Sequence, residues 1–308
     1  MSCEMTSLER GGVLAVNKPS GMTSHDVVNI IRKIYGTKKV GHTGTLDPMA
    51  SGVLVILVGR AVKATEYISS SSKKYRATLR LGLTTDTEDV TGNTLTTCDR
   101  IPDPDALQKV LPSFRGKIRQ IPPMYSALKV GGKKLVDLAR EGKVIERQPR
   151  EIEIFALDAV PTEEKTDYIL DVSCSGGTYI RTLCADIGAA LGCGGVMATL
   201  ERREACGFSI AQAHTVAELE ELTLEERQAR LIPTESLFAS LPAIKLPSFY
   251  ERLCRSGCEI YLNKIKASHE EGQRIRLCTE SGEFFALGEV FSYEKGLAVK
   301  AIKTFELE

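Results

Sequence analysis

The six residues Val53 to Val58, "VLVILV", constrain the fold of this chain more than any other stretch. An unbroken run of β-branched residues and leucine at this length suits a strand buried on both faces. Directly before it stands "GHTGTLDPMASG", Gly41 to Gly52, whose only carboxylate is Asp47. Proline fixes its own φ and pushes the preceding residue away from helix, so Asp47-Pro48 reads as a turn. Asp47 therefore sits on a loop anchored to core structure. An acid placed that way is either an ordinary turn residue or a catalytic group on a rigid scaffold.

At 308 residues the chain is long enough for one large domain, or for a large domain with a smaller one attached. With 43% hydrophobic and 26% charged residues its composition is that of a soluble protein, and no apolar run approaches the length of a bilayer span. Met1 to Gly12 is polar and lacks the apolar region of a signal peptide, so a cytoplasmic, membrane-free protein is expected. Nine cysteines without a Cys-x-x-Cys pair are expected to be buried small hydrophobes. Cys254, Cys258 and His269 lack a fourth ligand and zinc-like spacing, so no metal and no cofactor is expected.

Forty basic residues balance forty acidic ones, so total charge is silent about nucleic acid. Local charge is not. Between Arg115 and Arg150, ten basic residues including Lys129, Lys133, Lys134 and Arg140 face three acids, Asp137, Glu141 and Glu146, a net +7. The segment contains "QIPPMYSALKVGGKKL", where Pro, Tyr and paired Gly predict an extended arm rather than a helix. It reads as a solvated charged face or as an arm that tracks phosphates.

Along the chain, the pattern predicts a strand from Val13 to Val16, a Pro-Ser-Gly turn, and a helix capped by Ser24 and ended by Gly36. In "KKYRATLRLG", Tyr75, Ala77, Leu79 and Leu81 alternate with Lys74, Arg76, Thr78 and Arg80, which predicts a strand with one apolar and one basic face. "TTDTEDVTGN" does not match a calcium loop and reads as a solvated turn. Strands follow at Glu151 to Val160 and Tyr168 to Cys174, then a helix from about Thr178 to Leu191. "FASLPAIKLP" reads as a linker, and the alternating runs beyond it, with turns at Ser281-Gly282 and Lys295-Gly296, predict a small β-barrel. The irregular order of strands and helices indicates mixed α/β (α+β) structure rather than repeated βαβ units.

Arg181 would lie in the first turn of its helix, where the macrodipole disfavours a cation by roughly 0.3–1 kcal/mol unless an anion compensates. It is either a solvated Arg packing its stem on the surface or the partner of a buried carboxylate. Together "NKPSGMTSHDVV", "GHTGTLDPMASGVL", "KKYRATLRLGLTTDTED", "IPPMYSALKVGGKKLVDLAREG" and "CSGGTYIRTL" resemble, in order and spacing, the TruB family of bacterial tRNA pseudouridine synthases. Most of the chain is covered. The resemblance implies a catalytic domain over residues 1–238, built on a mixed, largely antiparallel sheet with flanking helices and a thumb-like insertion at about 120–150. It also implies a PUA-like β-barrel over 239–308, and isomerisation of the T-loop uridine at position 55 of tRNA.

By the same resemblance Asp47 is the nucleophile, Tyr75 lies against the base, and Arg181 pairs with Asp47 and keeps it ionised. His42 fills the space left by the flipped base, Tyr179 and Leu200 line the pocket, and Lys18 and Pro19 brace it. The basic arm with Lys129, Lys133, Lys134 and Arg140 closes on the tRNA T stem-loop. No obligate protein partner is implied, and a monomer is expected. The chemistry breaks the N1 glycosidic bond and reattaches uracil through C5, which requires neither redox equivalents nor a metal. Two positions depart from the family pattern: Glu201 stands where many relatives have Arg, and Gly176 where they have Lys. Each removes a cation. The rival readings are a non-catalytic tRNA-folding protein of the same fold and a member of a guide-RNA complex. The presence of Asp47, Tyr75 and Arg181 argues against the first, and the absence of long basic tails against the second. An aspartyl-phosphate enzyme fits poorly, because no phosphate-binding Gly-rich loop follows Asp47.

Overall fold

The computed structural model describes residues 11–68 and 72–305. Most of the polar N-terminal stretch read above lies outside them. In chain order the larger sheet draws on β1 (Gly12–Lys18), β2 (Val40–His42), β3 (Ser51–Val58) and β4 (Lys73–Leu81). A small hairpin, β5 (Leu83–Thr85) and β6 (Thr94–Thr97), lies beside it, and β7 (Gly116–Gln120) continues it. After a second hairpin, β8 (Lys129–Val130) and β9 (Lys133–Lys134), come β10 (Arg150–Pro161), β11 (Asp167–Cys174), β12 (Gly195–Ala205), β13 (Phe208–Ser209) and β14 (His214–Thr215). The spatial order is β14-β1-β3-β12-β4-β11-β10-β7, with β2 on β3 and β13 on β12. Among the described strands of this sheet, only β1 with β14 and β3 with β12 run parallel.

The apolar run that opened the argument is buried on both faces, as its composition requires. Leu54, Ile56 and Val58 enter one core with the helices α1 (Ser24–Ile34) and α2 (Ile180–Ala190). Val53, Val55 and Leu57 enter a second core with Phe208, Phe238, Leu287 and Phe305. The second core joins the large sheet to the end of the chain. There a five-stranded sheet, Ala243–Lys245, Arg274–Cys278, Phe284–Tyr293, Gly296–Thr304 and Ile260–Tyr261 in spatial order, curls as a half-barrel around its own apolar cluster. The stretch read as a linker is not slack. The Phe238 ring packs tilted against those of Phe284 and Phe305, with centroids 5.8 and 5.7 Å away, and Ile244 and Leu246 are buried.

Strand β4 alternates as expected, with Tyr75, Ala77, Leu79 and Leu81 inside. Its basic face is neutralised across the sheet. Arg76 forks onto Asp171 and Arg80 onto Asp167, each at 2.9 and 2.7 Å, and Lys74 meets Glu204 at 2.8 Å. Glu201 pairs with Arg203 on the same strand at 3.2 Å and lies opposite Arg76, away from Leu200 and Arg202.

Three local expectations need correction. The cap of α1 is Thr23, in a reciprocal capping box with Asp26, because Ser24 is engaged elsewhere. Segment 120–150 is not wholly extended: β8 and β9 turn at Gly131 and Gly132, whose φ of 59° and 84° suit a type I′ turn, and Leu135–Arg140 is helical. Met124, Leu135 and Leu138 give this arm a small core of its own. Finally, β12, which has four charged residues in its eleven, was not anticipated as a strand and lies between β3 and β4. Among the described residues no helix is long and apolar enough to cross a membrane, and no group of three His, Cys, Asp or Glu forms a potential metal site.

Candidate active site

The loop between β2 and β3 is held from three sides. Lys18 is fully buried, and its ammonium donates to the carbonyls of Pro19 (2.9 Å), Met22 (2.6 Å) and Pro48 (3.3 Å). All three of its donors are thus used, two on the Pro19 turn and one on the residue after Asp47. Burial pushes this ammonium down to about 8, with the Asp47 charge opposing. Ser24, also buried, accepts from the Leu46 amide at 2.8 Å and donates to the Leu46 carbonyl at 3.1 Å. From the third side Arg202, 1% exposed, donates to the carbonyls of Val53 (2.7 Å), Gly44 (3.0 Å) and Thr45 (3.5 Å). Gly52 makes this approach possible: a Cβ there would lie 2.3 Å from the Arg202 carbonyl oxygen, and its φ of 103° suits glycine.

Asp47 projects from this loop onto Arg181. The guanidinium meets both carboxylate oxygens, Nε to Oδ2 at 2.9 Å and Nη2 to Oδ1 at 3.2 Å, a forked pair. Arg181 stands in the first turn of α2, where a compensating anion is needed, and Asp47 is that anion. Two further donors are spent, one from Nη1 on the Thr87 carbonyl (3.1 Å) and one from Nη2 on that of Tyr125 (2.7 Å). Asp89 lies 3.8 Å from Nη1. The side chain of Arg181 is 6% exposed and that of Asp47 32%, so the carboxylate is the open end of the pair. Burial pushes the Asp47 carboxyl above its ordinary range, Arg181 pulls it down, and the charge of Asp89 adds to the rise. The pull of Arg181 favours the ionised carboxylate, as expected, and partly offsets the rise from burial.

The acid-rich turn after β5 is the largest departure from the sequence reading. It is not simply solvated. Asp89 is buried and accepts from the Thr91 amide (2.9 Å) and the hydroxyls of Thr87 (2.8 Å) and Thr91 (2.6 Å), while Glu88 accepts from Thr182 of α2 at 2.6 Å. Of its three acids only Asp86, exposed and bonded to Asn93, keeps the solvated role expected for the whole segment. The short Thr spacing around Asp89, which lets side chains close an Asx-type turn, was the available signal.

Tyr75 lies buried on β4, opposite Arg202 of β12, close enough to feel the charge of Asp47. Burial raises its phenol, and the charge of Arg202 opposes that rise. Leu200 is buried opposite Ala77 on the same face. Tyr179 caps α2, and its backbone is gripped at both ends by the buried Gln120 amide, at 3.0 and 3.2 Å. His42 ends β2; burial, then the charges of Arg202 and His25, lower its imidazole, and its Nδ1 is buried with no hydrogen-bond partner among the described residues. The sequence-predicted Asp47, Arg181, Tyr75, Leu200, Lys18 and Pro19 thus border one region, whereas Arg202, Asp89 and Gln120 were not singled out. On the arm, Lys129, Lys133 and Arg140 are exposed, and Lys129 and Arg140 form no ion pair among the described residues. The side chain of Lys134 lies outside what the structure describes.

Residues 32–180 match the model of the "TruB family pseudouridylate synthase (N terminal domain)", and residues 181–239 that of the "tRNA pseudouridylate synthase B C-terminal domain". The chain is 45% identical over 279 residues to the tRNA pseudouridine synthase B of Alkaliphilus oremlandii, covering 90% of this chain and 92% of that protein. Against the tRNA pseudouridine synthase B of Clostridium kluyveri it is 42% identical over 296 residues, covering 96% and 99%. Among solved structures, a chain from the crystal structure of a Cbf5-Nop10-Gar1 complex superposes with a TM-score of 0.74 at 25% identity, covering 97% of this chain and 86% of that one. On the identity shared with these relatives over nearly its whole length, the chain belongs to the TruB family of pseudouridylate synthases.

Proposed function

We propose that this protein isomerises the T-loop uridine at position 55 of tRNA to pseudouridine, with Asp47 as the nucleophile. The observation that carries the reading is the Asp47–Arg181 fork: a partly open carboxylate, aimed by a buried guanidinium, on a loop braced by Lys18, Ser24 and Arg202. The reaction breaks the bond between N1 and C1′ of the uridine, turns the uracil, forms the bond from C5 to C1′, releases the C5 proton, and leaves N1 protonated, so that the product is an isomer. Asp47 attacks either C6 of the base or assists loss of a sugar proton. Tyr75 supplies a stacking plane and a hydroxyl near the departing proton, and Tyr179 and Leu200 complete the pocket wall. A base in a folded loop must leave its stack to reach Asp47, and His42, whose imidazole burial pushes down and whose Nδ1 has no hydrogen-bond partner among the described residues, occupies the space it vacates.

The test is to incubate an unmodified tRNA transcript with the protein and map pseudouridine at every uridine. Modification at position 55 alone is expected. A transcript left unmodified favours the tRNA-folding alternative, and modification elsewhere overturns the proposed specificity.

The arm carries the tRNA contacts in this reading, because its cations Lys129, Lys133 and Arg140 are exposed while those on β4 are spent on carboxylates. Each phosphate contact contributes up to about 0.7–0.9 to the salt slope of binding through counterion release. Lys129→Ala with Lys133→Ala should therefore flatten the slope and weaken modified and unmodified tRNA alike. Binding across a salt series checks this. Superimposable slopes would make the arm a solvated charged face.

A further inference from the structure

Arg202 is the largest of the fully buried side chains, and it forms no ion pair among the described residues. A buried cation without a carboxylate is expensive, and an apolar side chain of similar volume is often the more stable choice at such a position. Three carbonyls satisfy the guanidinium here. Two of them, Gly44 at 3.0 Å and Thr45 at 3.5 Å, belong to the loop that carries Asp47, and the third, Val53 at 2.7 Å, opens the buried run of β3. Behind it the Arg202 backbone pairs with Gly52 on one side and with Tyr75 on the other. One residue thus touches the Asp47 loop and the strand that presents Tyr75. The charges of Lys18, His42 and Lys73, all bordering the same loop, respond to it.

We propose that Arg202 is a positioning residue for the isomerisation: its guanidinium, bonded to the Gly44, Thr45 and Val53 carbonyls and facing Tyr75, fixes the separation between the Asp47 carboxylate and the Tyr75 hydroxyl. A planar fork with five donors spans carbonyls on two elements, whereas the ammonium of lysine, a compact point charge, cannot keep the same spacing. This inference rests on the reading that Asp47 is the nucleophile.

The experiment uses Arg202→Lys and Arg202→Gln in the full chain, with single-turnover rates, tRNA affinity and thermal unfolding measured for each. A displacement of the reacting groups by about 1 Å costs about 100-fold in rate, so that loss is expected in Arg202→Lys at saturating tRNA. Affinity should stay within about threefold, because phosphate contacts position the RNA elsewhere. A merely structural arginine would not produce the second signature, non-additivity: in a Tyr75→Phe background the same Arg202→Lys change should cost far less, since the separation it guards no longer matters. Rate losses that add in full, that track affinity, or that track the fall in melting temperature overturn the proposal. Arg202→Gln serves if Arg202→Lys does not fold, and if neither folds the residue is a stability element and the proposal fails. Asp47→Asn, run in parallel, keeps the two failures apart: turnover by that variant refutes the nucleophile and with it this inference, whereas an inactive Asp47→Asn beside additive or stability-tracking Arg202 losses overturns the Arg202 role alone.

Discussion

Asp47→Asn should lose pseudouridine formation by about four orders of magnitude or more, while binding tRNA within a few-fold. The amide keeps the size of the carboxylate and the loop keeps its braces from Lys18, Ser24 and Arg202, so the RNA-binding surface is preserved. Arg181 keeps the carbonyls of Thr87 and Tyr125 and the nearby Asp89, so it is not stranded as an unpaired buried charge. What disappears is the anion. Release of the C5 hydrogen from labelled uridine reads the outcome directly, and turnover near that of the wild type would place the nucleophile elsewhere. The wild-type pH profile carries a related expectation. Because burial raises the Asp47 carboxyl and the nucleophile must be ionised, activity should begin to fall on acidification at a pH above the ordinary carboxylate range.

Arg181→Lys is expected to lower the single-turnover rate by about 100-fold or more, although the charge is kept. The wild-type guanidinium serves two oxygens of Asp47 and two backbone carbonyls at once. An ammonium has three donors on one point and cannot reach four acceptors spread around a plane. The weaker grip leaves burial less opposed, so the acid limb of the pH profile should move to still higher pH. A Lys variant with the wild-type rate and an unmoved acid limb would remove the fork from the account of catalysis.

Much of the fold was legible where periodicity and punctuation agree. The run Val53–Val58, the alternation of β4, and the helix after Tyr179 all follow from apolar spacing in the sequence. Strand β12 was not legible for a physical reason. Its charges sit on two faces with opposite fates, Glu201 and Arg203 paired outside and Arg202 buried, so a strand at the middle of the sheet reads as a polar segment. The pairing of Arg181 with an anion was inferable from helix polarity, because a cation in the first turn needs compensation. That Asp89 lies beside it was not, since the Thr spacing signals a closed turn at Asp89 but not the element against which that turn folds. The arm's helix was hidden by flanking Pro and Gly, whose turn signals are real at Gly131 and Gly132 but do not extend to Leu135–Arg140.

The order of strands in the large sheet has a consequence for how such a chain comes into being. Strand β3 is zipped to β12, about 150 residues later, and β1 to β14, about 200 residues later. Contacts this distant close late, because the entropy of bringing the ends together is spent before they reward it. A nascent chain that has emerged as far as α2 already contains Asp47, Tyr75 and Arg181. It does not yet contain the strand that separates β3 from β4 or the guanidinium that holds the Asp47 loop. During synthesis, the groups proposed for catalysis are therefore present before the strand that sets their spacing, and a ribosome-bound fragment ending near residue 190 would carry Asp47, Tyr75 and Arg181 without the strand between β3 and β4 and without the Arg202 brace.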